Sequence, residues 1–342
     1  MNQTPTIIRP ESPLLTKIKK YRKLASEMKV FLDKKPEEWG RFQSGFNQEI
    51  NGIFRDLMLF EKEYISSGKE EKVYKLKNFF VENFRDDFVK GEFLKWSFDK
   101  PYGYAGDYKI IEDIYLNAPK SHGFERLFDN YFQMSAISIA VRNRKEDFKR
   151  IITNFIMQGQ GRSVRIMDIA SGPCHDVKEL LSSENKHHSK FGKVSFDCFD
   201  GDHRSIGYAK EVLKNYLSQV NFTQLNIVKL ALSKDVKREY PFKYDIIYST
   251  GLFDYLDTRV ATRLIRNLEQ LLNPGGLLAI SDVRDKYSNP SIYFMEWVAD
   301  WGLVYRDDDD FRSLFINAGF AKESLSIGYE QQGIMQYVIA AK

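Results

Sequence analysis

The stretch Asp168-Ile169-Ala170-Ser171-Gly172-Pro173-Cys174-His175-Asp176 sets two acids around a run of small residues. After an apolar strand, such a run forms a loop on which a ligand can lie, because small residues let the backbone approach it closely. It is not a dinucleotide fingerprint. That pattern needs G-x-G-x-x-G, so that backbone N–H groups reach a pyrophosphate at a helix N-terminus. Here Gly172 is the one glycine, Pro173 removes a donor, and Asp168 opens the loop with a charge that repels phosphate. The residue types suit a ligand with a cationic centre, an amino-acid end and an uncharged ribose. Asp168 can organise the loop and meet an ammonium group. Ala170, Ser171, Gly172 and Pro173 would lie along the ligand. Asp200, at the end of the next strand, can accept both ribose hydroxyls as an acid does in dinucleotide folds. Asp202 rivals it, with Gly201 between them.

The elements that must position these groups follow from hydrophobic period. Apolar runs at 164–169, 194–200, 222–232, 244–249 and 277–281 predict five strands, with helices at 177–181, 206–220 and 259–272 between them. Strands alternating with helices mean a parallel sheet covered on both faces. A late strand pair is expected over 325–341. Upstream, apolar residues at spacings of three and four predict helices from Leu14, from Trp39 and from Val73, with Lys34-Lys35-Pro36 and Ser66-Ser67-Gly68 as breaks. Residues 1–12 are expected to be extended or disordered, with Pro5, Pro10 and Pro13 as breakers. Helices at 108–116 and 123–132 and a long one over 135–157 complete the chain. The fold class is therefore α/β, a Rossmann-like sheet with helices on both faces, preceded by an N-terminal helical domain. The expected division is 1–120 for the helical cap and 121–342 for the ligand-binding domain. No internal repeat is visible.

The loop resembles the first motif of class I S-adenosylmethionine-dependent methyltransferases, roughly [D/E]-x-G-x-G-x-G. Asp168, Ala170, Gly172 and Cys174 occupy its four defined positions, so two glycines are replaced. Asp200 with Ala209, the segment 244–249 and the turn Leu272-Asn273-Pro274-Gly275-Gly276 are similar to later motifs of that family. The resemblance implies S-adenosyl-L-methionine as cofactor, with Ser249, Thr250 and Gly251 beside it. Arg142 and Arg144 on the long helix are candidates for its carboxylate, since an arginine can hold a carboxylate by a bidentate pair. The family's acidic residue after the third strand has no counterpart near Ala231-Leu232.

A narrower resemblance rests on Gly103-Tyr104-Ala105-Gly106-Asp107-Tyr108, on Val141-Arg142-Asn143-Arg144 and on Phe294-Met295-Glu296-Trp297 with Trp301 and Tyr305-Arg306. These are similar to a bacterial group assigned to biosynthesis of 3-hydroxy fatty acid methyl esters, the extracellular-factor signals. It implies a small-molecule acceptor that is a carboxylate on an acyl chain. A carboxylate is ionised at neutral pH and needs no base. It needs a dry, aligned site, which Tyr104, Tyr108, Phe253, Tyr255, Trp297 and Trp301 could line, with Arg306 pairing the acceptor. A hydroxyl or nitrogen acceptor would need a base, for which His175 and His203 are at hand. Two other readings stay open: another S-adenosylmethionine-dependent reaction, such as N-methylation or cyclisation, and a non-catalytic regulatory role on the same fold.

Bulk composition sets limits. The chain has 342 residues, 43% hydrophobic and 29% charged, with 26 Phe and 19 Tyr, the make-up of a globular protein. A net charge of +4 without a basic tract argues against a nucleic-acid partner. Cys174 and Cys198 have no CxxC neighbour and no zinc spacing, so no structural metal is expected. Two cysteines fit the cytoplasm better than secretion. Residues 1–13 are polar, so no signal peptide is expected there, and no apolar run approaches the ~20 residues of a membrane span. The helical domain could pair two copies.

Overall fold

The computed structural model describes residues 12–159 and 162–342. The expectation for residues 1–11 lies outside them. Pro13 does not break the first helix, which starts at Ser12. A proline in the first turn is tolerated because its missing N–H has no intrahelical partner there.

The described chain forms two compact units that interleave. One comprises the residues up to Gly106, Asn117–Ser138 and Asn289–Gly302; the other comprises Asp107–Leu116, Ile139–Ser288 and Leu303–Lys342. The single division expected near residue 120 is therefore corrected. Helix Tyr108–Leu116 belongs to the second unit, and a segment far along the chain completes the first.

The first unit holds helices Ser12–Leu32, Gly40–Ser66, Glu70–Phe88, Glu92–Asp99 and Gly123–Met134. Its core explains much of the phenylalanine content. Tyr21 stacks on Phe88 at 4.9 Å, Phe46 meets Phe128 edge-on at 4.8 Å, and Phe54 lies 6.0 Å from Phe294. Such pairs add about 0.5–1.5 kcal/mol each beyond buried area. Gly91 has φ 79, and a Cβ there would meet Asp129 Oδ1 at 2.5 Å. Buried Asp129 accepts N–H bonds from Lys120 and Ser121 at 3.0 and 2.7 Å, so the glycine leaves it room.

The second unit is built on seven strands: β1 Val164–Ile169, β2 Val194–Asp200, β3 Val220–Gln224, β4 Tyr244–Ser249, β5 Leu272–Val283, β6 Leu325–Tyr329 and β7 Met335–Ala341. Their order is β3-β2-β1-β4-β5-β7-β6. The first five are parallel, and β7 runs antiparallel to β5 and β6. The Rossmann-like α/β sheet and the late strand pair are as expected. β5 begins at Leu272, with an irregularity that accommodates Asn273 to Gly276 before the ladder resumes at Leu277. The third strand is shorter than expected. It ends at Gln224, and Ile227–Leu232 is a helix whose cap, Asn226, accepts from Val228 N–H at 3.0 Å. Met167, Ile169, Ile247, Leu264, Leu268 and Phe253 are among the residues of one buried cluster against this sheet.

Among the described residues, no helix is long and apolar enough to cross a membrane.

Candidate cofactor site

In a doubly wound sheet, ligands bind beyond the carboxyl ends of the strands where the strand order reverses. Here that point lies between β1 and β4. Ser249 Oγ donates to Ile169 O at 2.9 Å and ties the two strand ends together.

The loop from β1 has an alternating backbone. Ala170, Gly172 and Cys174 have φ of 55, 55 and 52. All three are left-handed, although only one is glycine. A side chain in that conformation costs about 1–2 kcal/mol. At Gly172 an added Cβ would meet no atom within 4 Å, so the backbone there faces open space. Cys174 then precedes helix His175–Leu181.

Asp168 is buried, and its Oδ2 has no hydrogen-bond partner. Burial and the neighbouring Asp176 push its carboxyl well above the usual range, against a hydrogen bond from Tyr248. The Tyr248 hydroxyl also donates to Asp176 Oδ2 at 2.8 Å. Across the switch point, Arg144 is equally buried. Its Nε has no partner, its Nη1 stands 3.7 Å from Asp254 and from Met335 Sδ, and its Nη2 is 3.2 Å from where a Cβ on Gly251 would be. Burial pushes the Tyr115 hydroxyl up, and that group feels Arg144, Asp176 and Asp168 together. The site therefore holds one buried carboxylate oxygen and one buried guanidinium N–H without partners near one tyrosine, and a buried polar atom left so is costly unless something answers it.

Asp200 ends β2. Its Oδ2 accepts from Gly172 N–H at 2.9 Å and Ser205 Oγ at 3.1 Å, and its Oδ1 accepts from Asp202 N–H at 2.8 Å. A carboxylate has about four lone-pair sites, so one remains for a ribose hydroxyl. Asp202 is spent differently: it caps helix His203–Val212 and takes the Arg204 guanidinium at 2.9 Å. Gly201 lies between the two.

Other expected site residues are placed apart. Arg142 donates to Ile114 O at 3.3 Å. Arg306 is corrected as an acceptor-binding group. It is buried, and its guanidinium donates to Asp282 Oδ2 at 2.9 Å, to Phe253 O at 3.1 Å and to Leu256 O. It does not pair with the acidic run after it: Asp307 caps helix Asp308–Ala318, and Asp308 pairs with Arg284. His175 is corrected as a base. Hydrogen bonds with Glu112 and Glu179 raise it to about 9, so it is protonated at neutral pH. His203 is exposed beside Asp202.

The aromatic residues are not one set. Tyr104, Trp297 and Trp301 belong to the first unit, and Tyr108, Phe253 and Tyr255 to the second. Phe253 is spent in the sheet core, and Trp297 packs on Phe80 and Tyr293 at 5.7 and 5.3 Å. Tyr104 and Tyr255 are about two-fifths exposed, Trp301 is buried, and Tyr108 lies against Tyr208 at 5.3 Å. Residues that sequence reasoning missed are Tyr115, Tyr248, Glu112, Asp254 and Asp282. Their spacing carries no motif; only the fold brings them to the strand ends.

No protein-family model and no curated protein matches this chain. Solved structures do. A possible exported protein from Bordetella parapertussis is 19% identical over 69% of this chain and 79% of its own, with a TM-score of 0.54. Magnesium protoporphyrin IX methyltransferase from Synechocystis, solved with S-adenosylhomocysteine, is 14% identical over 60% and 86%, with a TM-score of 0.44. An N-methyltransferase from Bradyrhizobium japonicum, with the same ligand, is 15% identical over 58% and 87%, at 0.37. The sheet, with its five parallel strands and antiparallel β7, is a Rossmann-like α/β fold.

Proposed function

We propose that this chain is an S-adenosylmethionine-dependent methyltransferase acting on a small molecule. The observation that carries the reading is that Asp168 and Arg144 both act on Tyr115 near the strand ends and each keeps a buried polar atom without a partner. One offers an orphaned buried carboxylate oxygen and the other an orphaned buried guanidinium N–H. A zwitterionic amino-acid end satisfies both, its ammonium on Asp168 and its carboxylate on Arg144. Asp200 would hold the ribose, and the open backbone at Gly172 would lie against the ligand. Ala170, Ser171, Pro173, Ser249, Thr250 and Gly251 frame that path. Bound S-adenosylmethionine supplies a methyl group on a sulfonium, which an ionised acceptor can attack in line.

The acceptor in this reading is a carboxylate on a 3-hydroxy fatty-acid-like chain. His175, held protonated by Glu112 and Glu179, is a poor base, and a carboxylate needs none.

Calorimetric titration with S-adenosylhomocysteine tests the cofactor. One saturable site per chain is expected, and no binding heat at any temperature refutes it. Incubation with methyl-labelled cofactor and 3-hydroxy fatty acids then tests the acceptor. A labelled methyl ester, released by mild base, is the expected product. Binding without transfer to any carboxylate would leave the cofactor assignment standing and remove the acceptor.

A further inference from the structure

Cys174 and Cys198 are the chain's only cysteines, and both are free and fully buried. They come from different elements. Cys198 sits on β2 opposite Asp168 in the ladder, and Cys174 ends the loop that Asp168 begins. Their two sulfurs and one Asp168 carboxylate oxygen all lie within 4.8 Å of one another.

Three features set this triangle apart from ordinary packing. Cys174 keeps a side chain at φ 52, where glycine would be unstrained. Asp168 Oδ2 has no partner although buried. The charges that act on Asp168 from around it, those of Asp176 and Asp200, are negative. A small cation that prefers sulfur answers all three.

We propose that Asp168, Cys174 and Cys198 form a binding site for a thiophilic divalent cation, of which Zn²⁺ and Cd²⁺ are the representatives. Zinc bonds of about 2.3 Å to sulfur and 2.0–2.2 Å to oxygen put tetrahedral ligand atoms about 3.5–3.8 Å apart, so each side of the triangle closes by at most about 1.3 Å. Binding as thiolates displaces two thiol protons, which pass to solvent, so it tightens as pH rises. No other bond breaks, and no electron moves.

One consequence rests on the cofactor reading above. Asp168 cannot hold a metal and an ammonium at once, so the cation and the cofactor exclude each other.

The experiment uses the full chain, reduced with a phosphine and freed of metal, and titrated with Cd²⁺. The thiolate-to-cadmium ultraviolet band should rise to one equivalent per chain and vanish in Cys198→Ser. Absence of the band overturns the proposal. So does a band that persists undiminished in Cys198→Ser, since Cys174 alone would then supply it and Cys198 would be no ligand. If Cys198→Ser fails to fold, protection of the wild-type thiols supplies the answer. One equivalent of Cd²⁺ should block maleimide labelling of both cysteines in mild urea, and unprotected labelling overturns the site. Repeating the titration with saturating S-adenosylhomocysteine separates the two readings. Apparent Cd²⁺ affinity should fall at least tenfold. Metal binding that ignores the nucleoside leaves the metal site standing and removes the ammonium from Asp168. Nucleoside binding without any Cd²⁺ band does the reverse.

Discussion

His175 Nδ1 lies 3.1 Å from Glu112 Oε2, and this contact ties the helix after the β1 loop to helix Tyr108–Leu116. The Tyr208 hydroxyl donates to the same Glu112 at 3.0 Å, and Glu179 accepts from Lys145 and Lys149 beside it. Because His175 is raised to about 9, the link is fully present below its ordinary 6.5 and is lost as pH rises through about 9. The ring protons of His175 should titrate near pH 9 by NMR. Amide exchange in 108–116 should accelerate over the same window. A midpoint near 6.5 would show that the ring carries no such partners in solution.

Asp168→Asn separates function from stability. The wild-type charge is held in a buried place that raises its pKa, so at neutral pH it costs folding free energy. The amide should raise the melting temperature. It should also weaken S-adenosylhomocysteine at least tenfold, about 1.4 kcal/mol. Calorimetry and thermal melts on one sample read both, and unchanged affinity would remove Asp168 from the site.

Ala170→Gly should stabilise the protein by about 0.5–1 kcal/mol. Relief of a left-handed alanine is worth about 1–2 kcal/mol, less the entropy that glycine adds to the unfolded chain. Urea unfolding measures it, and a loss of stability would mean that the methyl group packs usefully.

Gly91→Ala tests the first unit. The new methyl would press on Asp129 Oδ1 from a φ of 79. A loss of at least about 2 kcal/mol is expected, from strain together with disturbance of a buried carboxylate's hydrogen bonds. Denaturant unfolding with unchanged midpoint would show that the Gly123–Met134 helix yields.

The sheet was legible in the sequence because a strand buried on both faces reads as a continuous apolar run and a helix does not. The third strand shows the limit. Leu225 to Leu232 carries apolar residues as a strand would, yet from Ile227 it is a helix, with Asn226 capping it at the Val228 N–H. Asp168, Gly172 and Asp200 were legible because each ends or follows a strand. Arg144 was one arginine of two on a helix, and only the fold shows that it is the buried one, beside Gly251 and Asp254. Arg306 misled for a plain reason: its partners Asp282, Phe253 and Leu256 are distant along the chain, whereas the acids next to it are occupied elsewhere. The role of 289–302 in the first unit is likewise a long-range fact with no local signature.

The three left-handed residues at 170, 172 and 174 bear on how such proteins are found. A search that scores letters counts two mismatches in three at the most diagnostic place in the chain. The backbone makes no such distinction: alanine and cysteine carry the same left-handed turn as the glycine between them. A pattern that admits any residue able to bear φ near 55 would therefore find loops of this shape where one that demands glycine would not.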